Sequence, residues 1–152
     1  MKLSEAINAG AKIRPQSFGG LFGVRWFRKT SCALGAAFEA AEVGTHKAPN
    51  DSTAPFRGQR SESMTATVYE TPPEWFDVFY HTVECPQFCG KSDAMYRMIP
   101  HVNDDHRWTR EQIAEWVARI EAVVEEAASQ RKAATASQDS EWPEIIEATS
   151  ER

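Results

Sequence analysis

The sequence predicts a mainly α-helical single domain with a small β-hairpin at most. Two segments repeat apolar residues at helical spacing behind a capping pattern, one beginning at Thr71 and the other at Thr109. Residues 18–27 are instead rich in aromatic residues and glycine, which favours a bent hairpin. The chain has 152 residues, of which 41% are hydrophobic and 11% aromatic, so it can bury one modest core.

Four helices are expected to surround this core in a domain that covers residues 1–128. The first helix has Ser4 as a plausible N-cap and Gly10 as its stop, and the second follows a cap at Thr30 or Ser31. The expected helices cover residues 1–11, 32–43, 71–83 and 109–128. Between the last two, a short element around 94–99 should end at Pro100, and His101 to Trp108 should form a loop.

The last helix has the clearest amphipathic pattern in the chain. Its apolar stripe consists of Ile113, Trp116, Val117, Ile120, Val123, Val124 and Ala127. Its acidic residues, which include Glu115, Glu121 and Glu125, are expected on the solvated face. Polar composition predicts a flexible insertion at residues 45–62 and a flexible acidic tail at 129–152, in which Trp142 to Ile146 could form a brief binding turn.

Composition excludes several classes of protein. No apolar run reaches the roughly 18 to 20 residues that a membrane span requires, and the short amphipathic N-terminal helix does not resemble a signal peptide. Three cysteines are too few for a secreted disulfide framework and indicate reduced thiols. We therefore expect a cytoplasmic protein that has no membrane partner.

Four residues have the ligand types and approximate spacing of a zinc site. Cys85, Cys89, His101 and His106 form a Cys-x3-Cys-x11-His-x4-His pattern. Thiolates and imidazoles can complete the tetrahedral shell of Zn²⁺ at about 2.0 to 2.3 Å. In this interpretation residues 85–91 form a knuckle in which glycine permits a positive φ. Such a zinc would be structural, because histidines in a loop do not fit a DNA-reading finger.

The same four residues also have an ordinary structural interpretation. The cysteines can be small buried side chains that follow a helix. The histidines can be loop residues that bond to backbone carbonyls and to the carboxylates of Asp104 and Asp105. The residues alone leave both interpretations open.

A basic and aromatic segment supports an alternative function. Arg25, Trp26, Arg28 and Lys29 interleave cations with an aromatic ring, as a surface that contacts phosphates and stacks on bases would. The formal charge of −5 on the whole chain opposes phosphate binding outside this segment. A nucleic-acid-binding regulator is therefore the second hypothesis.

An enzyme that uses a cysteine and a histidine is the third hypothesis. Cys32 would lie at a helix N-terminus close to Arg28 and Lys29, which would lower its pKa and favour the thiolate. His106 would be the general base, oriented by Asp104 or Asp105. The apolar neighbours of Cys32 favour a buried structural thiol instead.

Several segments together resemble a family of small uncharacterised phage and prophage proteins, over about residues 1–120. They are Leu3-Ser4-Glu5-Ala6-Ile7, Arg14-Pro15-Gln16, Ser31-Cys32-Ala33-Leu34-Gly35-Ala36-Ala37, the cysteine pair, and the run from His101 to Trp116. That family's cysteine pair looks like Cys-Pro-x-Cys, whereas this chain has one more residue between Cys85 and Cys89. The resemblance implies only a phage or mobile-element setting.

These observations favour a non-catalytic accessory or regulatory protein of phage type that binds another protein. A structural zinc would fasten the end of the third helix to the segment before the last one. The identity of the protein partner does not follow from the residues.

Overall fold

The structure is a computed structural model that describes residues 1–19, 22–25, 28–42 and 71–139, with backbone alone at 22–25, 28–29 and 137–139. Its elements in chain order are α1 (Leu3–Ala11), β1 (Phe22–Arg25), β2 (Arg28–Ser31), α2 (Ala33–Ala40), a 3-10 turn (Pro73–Trp75), α3 (Phe76–Phe79), β3 (Thr82–Glu84), β4 (Ser92–Ala94), α4 (Met95–Asp104) and α5 (Arg110–Asp139). Strand β1 pairs with β2, and β3 pairs with β4, each as a two-stranded antiparallel sheet. The mainly α-helical prediction is confirmed. The β3–β4 hairpin is a second small hairpin that was not predicted.

Aromatic side chains form the centre of the core. The Phe38 ring centroid lies 5.8 Å from that of Trp75 and 6.1 Å from that of Phe79. On the other side of Phe79, the Tyr96 ring stacks at 5.3 Å. Such ring pairs add about 0.5 to 1.5 kcal/mol each beyond the area that they bury. The core therefore joins α2, α3 and α4.

Helices α1 and α2 approach each other closely at Gly10. A Cβ atom at this position would overlap the backbone carbonyl of Ala36 on α2. Gly10 is buried within α1 and is not its C-cap, which is Lys12. The prediction that Gly10 ends α1 is therefore wrong. Gly10 lies within the helix, and its missing side chain lets α2 pack closely against α1.

The N-terminus of α1 differs from the predicted cap. Lys2 is the N-cap, and its backbone N–H donates to the Glu5 side chain at 3.0 Å. Ser4 is buried and donates instead to Glu121 of α5, through its backbone N–H at 3.1 Å and its hydroxyl at 2.5 Å. The prediction that Ser4 caps α1 is therefore wrong, and Glu121 is buried rather than solvated.

The boundaries of the next two helices also differ from prediction. Cys32 is the N-cap of α2, and its sulfur accepts from the backbone N–H of Gly35 at 3.4 Å. The helix expected over residues 71–83 is instead a 3-10 turn followed by α3, and Val83 lies in β3. Trp75, Phe79 and Val83 are all buried. Their spacing therefore fits the observed turn, short helix and strand as well as the single helix that was expected.

Pro100 lies inside α4 rather than at its end. Proline removes one backbone hydrogen bond from a helix, but the buried side chains of Met98, Ile99 and Val102 keep both sides of Pro100 against the core. The predicted loop over residues 101–108 is therefore wrong for its first four residues, which are helical. His101 lies on the helix, whereas His106 lies in the connection to α5.

Helix α5 begins as predicted and ends later. The backbone N–H of Thr109 donates to Gln112 Oε1 at 2.9 Å, and that of Gln112 donates to Thr109 Oγ1 at 3.3 Å, which confirms the capping box. The helix continues past Ser129, where a tail was expected, to Asp139. The predicted insertion at 45–62 and the possible turn at Trp142 to Ile146 lie outside the described residues.

In the described ranges, no helix combines the length and apolar character needed to cross a membrane.

Candidate metal centre

The turn between β3 and β4 positions the two cysteines. The backbone N–H of Cys85 donates to the carbonyl of Lys91 at 2.8 Å, and that of Phe88 donates to the carbonyl of Cys85 at 2.9 Å. Phe88 and Gly90 have φ values of 53° and 81°, so the glycine fulfils its predicted role. The turn folds back on itself and directs both sulfurs to one side.

The two histidines reach the same point from α4 and from the loop that follows it. Nε2 of His106 lies 3.3 Å from Sγ of Cys85, and Nε2 of His101 lies 3.4 Å from Sγ of Cys89. The two Nε2 atoms are 3.2 Å apart. All four ligand atoms lie within 4.8 Å of one another. The structure therefore brings together all four residues predicted from the sequence.

These distances match the edges of a tetrahedral coordination shell. Metal bonds of about 2.05 Å to nitrogen and about 2.3 Å to sulfur place two nitrogens about 3.3 Å apart, and a nitrogen and a sulfur about 3.6 Å apart. The nitrogen pair, at 3.2 Å, and the two nitrogen–sulfur pairs, at 3.3 and 3.4 Å, lie close to these values. The cluster could therefore hold one metal ion without rearrangement of the backbone.

A carboxylate supports one of the imidazole ligands. Nδ1 of His101 lies 2.6 Å from Oδ2 of Asp105, one helical turn further along the chain. A hydrogen bond at Nδ1 leaves the Nε2 lone pair free to face the sulfur of Cys89. Metal-binding histidines are commonly supported in this way. Asp105 was expected to bond to a histidine, and the structure identifies that histidine as His101.

The two thiols have different surroundings. Cys85 is buried, and burial raises its pKa. Cys89 is exposed, and the backbone N–H of Lys91, with smaller contributions from His106 and Cys85, lowers its pKa to about 7. The site thus presents one accessible thiol that readily becomes a thiolate and one that is protected by the core.

The structure opposes the use of Cys32 as a nucleophile. Its side chain is 1% exposed, and burial raises its pKa to about 11. This shift is opposite to the one expected from the helix N-terminus. The imidazole of His106 contacts Cys85, and Asp105 contacts His101 rather than His106. The expected Cys-His-Asp arrangement is therefore not assembled around Cys32.

The basic segment lies at the first hairpin. Arg25 is the last residue of β1 and pairs in register with Arg28 of β2, while Lys29 pairs with Val24. Trp26 lies outside the described residues. The backbone register therefore places Arg25 and Arg28 opposite each other at the end of the hairpin.

A polar network next to the centre was not foreseen. Oδ1 of Asn103 accepts from Nε2 of Gln16 at 2.8 Å and from the backbone N–H of Ala33 at 3.3 Å. The guanidinium of Arg110 donates to the carbonyls of Arg14, Pro15 and Ser31. These contacts join segments far apart in the chain, so local sequence patterns contain no signal of them. They hold the segment before β1 against α4 and α5.

Comparison with protein-family models, with curated proteins and with solved structures finds no match to this chain.

Proposed function

We propose that the chain is a non-catalytic accessory or regulatory domain, fastened by a structural zinc ion, that acts by binding another protein. One observation carries the metal assignment: the ligand atoms of two cysteines and two histidines lie within 4.8 Å of one another, and the nitrogen pair and two nitrogen–sulfur pairs are close to tetrahedral separations. Two thiolates with two imidazoles are a ligand set typical of zinc. The four protein ligands fill a tetrahedral shell and leave no position for a substrate, which supports a structural role.

The location of the centre supports the same role. Its ligands come from the β3–β4 turn, from α4 and from the loop before α5. A metal ion at this point would tie the three segments together, because each contributes at least one ligand. Metal binding would then contribute directly to the free energy of unfolding.

Metal content tests this part of the proposal. Protein purified without chelator is expected to contain one zinc ion per chain, and Cys85→Ser is expected to lose the zinc and unfold at a lower temperature. Cys32→Ser is the matched control, since it makes the same chemical change at a cysteine outside the cluster and serine is itself a good N-cap. A stable wild-type protein that contains no metal would refute the assignment.

Phe88 supports the protein-binding part of the proposal. Its side chain is 92% exposed, and its backbone has a φ of 53°, which is unfavourable for a bulky residue. Neither feature stabilises the fold, yet the turn between the two cysteines holds this aromatic ring out in solvent. Exposed aromatic side chains of this kind are common anchors in protein interfaces. We propose that Phe88 contacts the partner protein.

Affinity purification with two variants tests the role of Phe88. Phe88→Ala is expected to keep its zinc and its unfolding temperature but to lose a partner that the wild type retains from a phage-bearing bacterial host. Tyr80→Ala is the matched control, because Tyr80 is a half-exposed aromatic residue outside the turn. Equal recovery of the same proteins by wild type and Phe88→Ala would refute this contact. The phage setting and a cytoplasmic location belong to the proposal and depend on the sequence resemblance and composition.

The register of the first hairpin favours a second candidate function, binding of nucleic acid. Arg25 and Arg28 occupy paired positions of the backbone register at its end, so two basic residues come together in this part of the hairpin. If this segment binds single-stranded DNA, affinity for a labelled oligonucleotide should fall steeply with salt and be lost when both residues are changed to alanine. Absence of binding at low salt, or binding that does not depend on salt, would refute this candidate.

A further inference from the structure

Cys85 and Cys89 form a thiol pair with one accessible and one protected member. Cys89 is exposed, whereas Cys85 is 2% exposed. Their sulfurs lie within 4.8 Å of each other, on the same side of a turn closed by the Phe88 N–H and the Cys85 carbonyl. A short movement within this turn would bring the sulfurs to the bonding distance of about 2.05 Å.

The third cysteine is not available to this pair. Cys32 is 1% exposed, and its sulfur accepts the backbone N–H of Gly35 at the start of α2. The chain contains three cysteines, and all three lie in the described ranges. An oxidised Cys89 therefore has Cys85 as its intramolecular partner.

We propose that Cys89 and Cys85 are an oxidative modification site, at which a hydroperoxide converts the two metal-bound thiolates into a disulfide and releases the metal. This inference rests on the proposed zinc centre and adds a reaction to it. Two of the four ligands are lost in the reaction, and two imidazoles alone do not retain zinc at a structural site.

The reaction balances in two steps. The Cys89 thiolate attacks one oxygen of hydrogen peroxide; a sulfur–oxygen bond forms, the oxygen–oxygen bond breaks, and hydroxide leaves to become water. The Cys85 thiolate then attacks the Cys89 sulfenic acid; a disulfide forms and a second hydroxide leaves. In total, two thiolates, one peroxide and two protons give one disulfide and two waters. Peroxide is reduced and both sulfurs are oxidised.

The location of the pair explains the expected effect on the fold. The disulfide closes the β3–β4 turn upon itself and releases it from both histidines, while His101 keeps its contact with Asp105. Of the four cluster residues, only Cys85 belongs to the buried hydrophobic core, and the ring pairs of Phe79 with Phe38 and Tyr96 join that core across α2, α3 and α4. Oxidation is therefore expected to loosen the turn that bears Phe88 and to leave the helical core folded.

Zinc release during peroxide treatment tests the proposal. The zinc content of the untreated protein is measured first, so that absence of metal is recognised as failure of the zinc assignment itself. Hydrogen peroxide should then release zinc to a chromogenic chelator, with loss of two hydrogen atoms from the protein mass. Peptide mapping of the wild type should show a Cys85–Cys89 linkage, and dithiothreitol with added zinc should reverse both changes.

Two variants sharpen this test. Cys32→Ser should release zinc at the wild-type rate. Cys89→His retains four potential ligands but has no second thiol in the cluster, so a zinc-loaded sample should release metal more slowly by about an order of magnitude or more. Retention of zinc by peroxide-treated wild type would overturn the proposal. Release accompanied by sulfinic acid at Cys89, without the disulfide, would overturn it equally.

Discussion

Asp105 supports His101 from one helical turn away, with its Oδ2 atom 2.6 Å from Nδ1 of the imidazole. This contact directs Nε2 of His101 to the cluster. The carboxylate is exposed, so its role is to orient the ligand rather than to stabilise the core. The relationship gives the candidate metal centre an outer partner whose role can be tested.

Asp105→Asn is expected to weaken zinc binding by about 10- to 100-fold while the helical content stays unchanged, because the ring loses its anionic partner. Competition with a chelator of known affinity measures this effect. Asp104→Asn is the control, since Asp104 accepts a hydrogen bond from Asn103 and does not contact either imidazole through a described hydrogen bond. Equal loss of affinity in both variants would contradict the specific role of Asp105.

The four residues of the candidate metal centre could be predicted from the sequence because residue type and spacing carry that information locally. The β3–β4 hairpin that bears the two cysteines could not be predicted. Trp75, Phe79 and Val83 follow helical spacing, yet Val83 lies in a strand. Pro100 was likewise expected to end a short element around 94–99, but buried neighbours on both sides keep it within α4. In both places tertiary packing overrides the local signal.

Glu121→Ala is expected to destabilise the protein by about 1 to 3 kcal/mol, because the N–H and hydroxyl of Ser4 would remain buried without their acceptor. Chemical denaturation measures the free energy of unfolding. Glu115→Ala on the same helix is the control and should change it by less than about 0.5 kcal/mol, since Glu115 is exposed and pairs only with Arg119 among the described residues. Similar effects of the two substitutions would argue against the Ser4 contact.

Gly10→Ala is expected to destabilise the protein by about 1 to 3 kcal/mol, although alanine is the better helix former. The added methyl group would overlap the Ala36 carbonyl and force α1 away from α2. Thermal unfolding measures the change. Asn8→Ala, at an exposed position of the same helix, should not destabilise the protein. A Gly10→Ala protein as stable as wild type would contradict the close approach of α1 and α2 at Gly10.

Arg110→Lys is expected to destabilise the protein by about 1 to 3 kcal/mol despite the retained charge. The guanidinium donates to carbonyls on both sides of the first hairpin, whereas an ammonium cannot reproduce its planar set of donors. Arg119→Lys, at an exposed site of the same helix, is the control for the loss of a guanidinium. Chemical denaturation should separate the two variants, and equal stability would contradict the role of Arg110.

Helix α5 combines two levels of stability within one continuous element. Ile113, Trp116, Val117 and Val124 are buried in the core, whereas the side chains of residues 129–136 are exposed. An isolated helical stretch of that length is marginal in water. Amide hydrogens near Val117 should therefore exchange with solvent only through global opening, while those after Ser129 exchange through fraying from the end. The helix has one secondary structure but two unfolding equilibria.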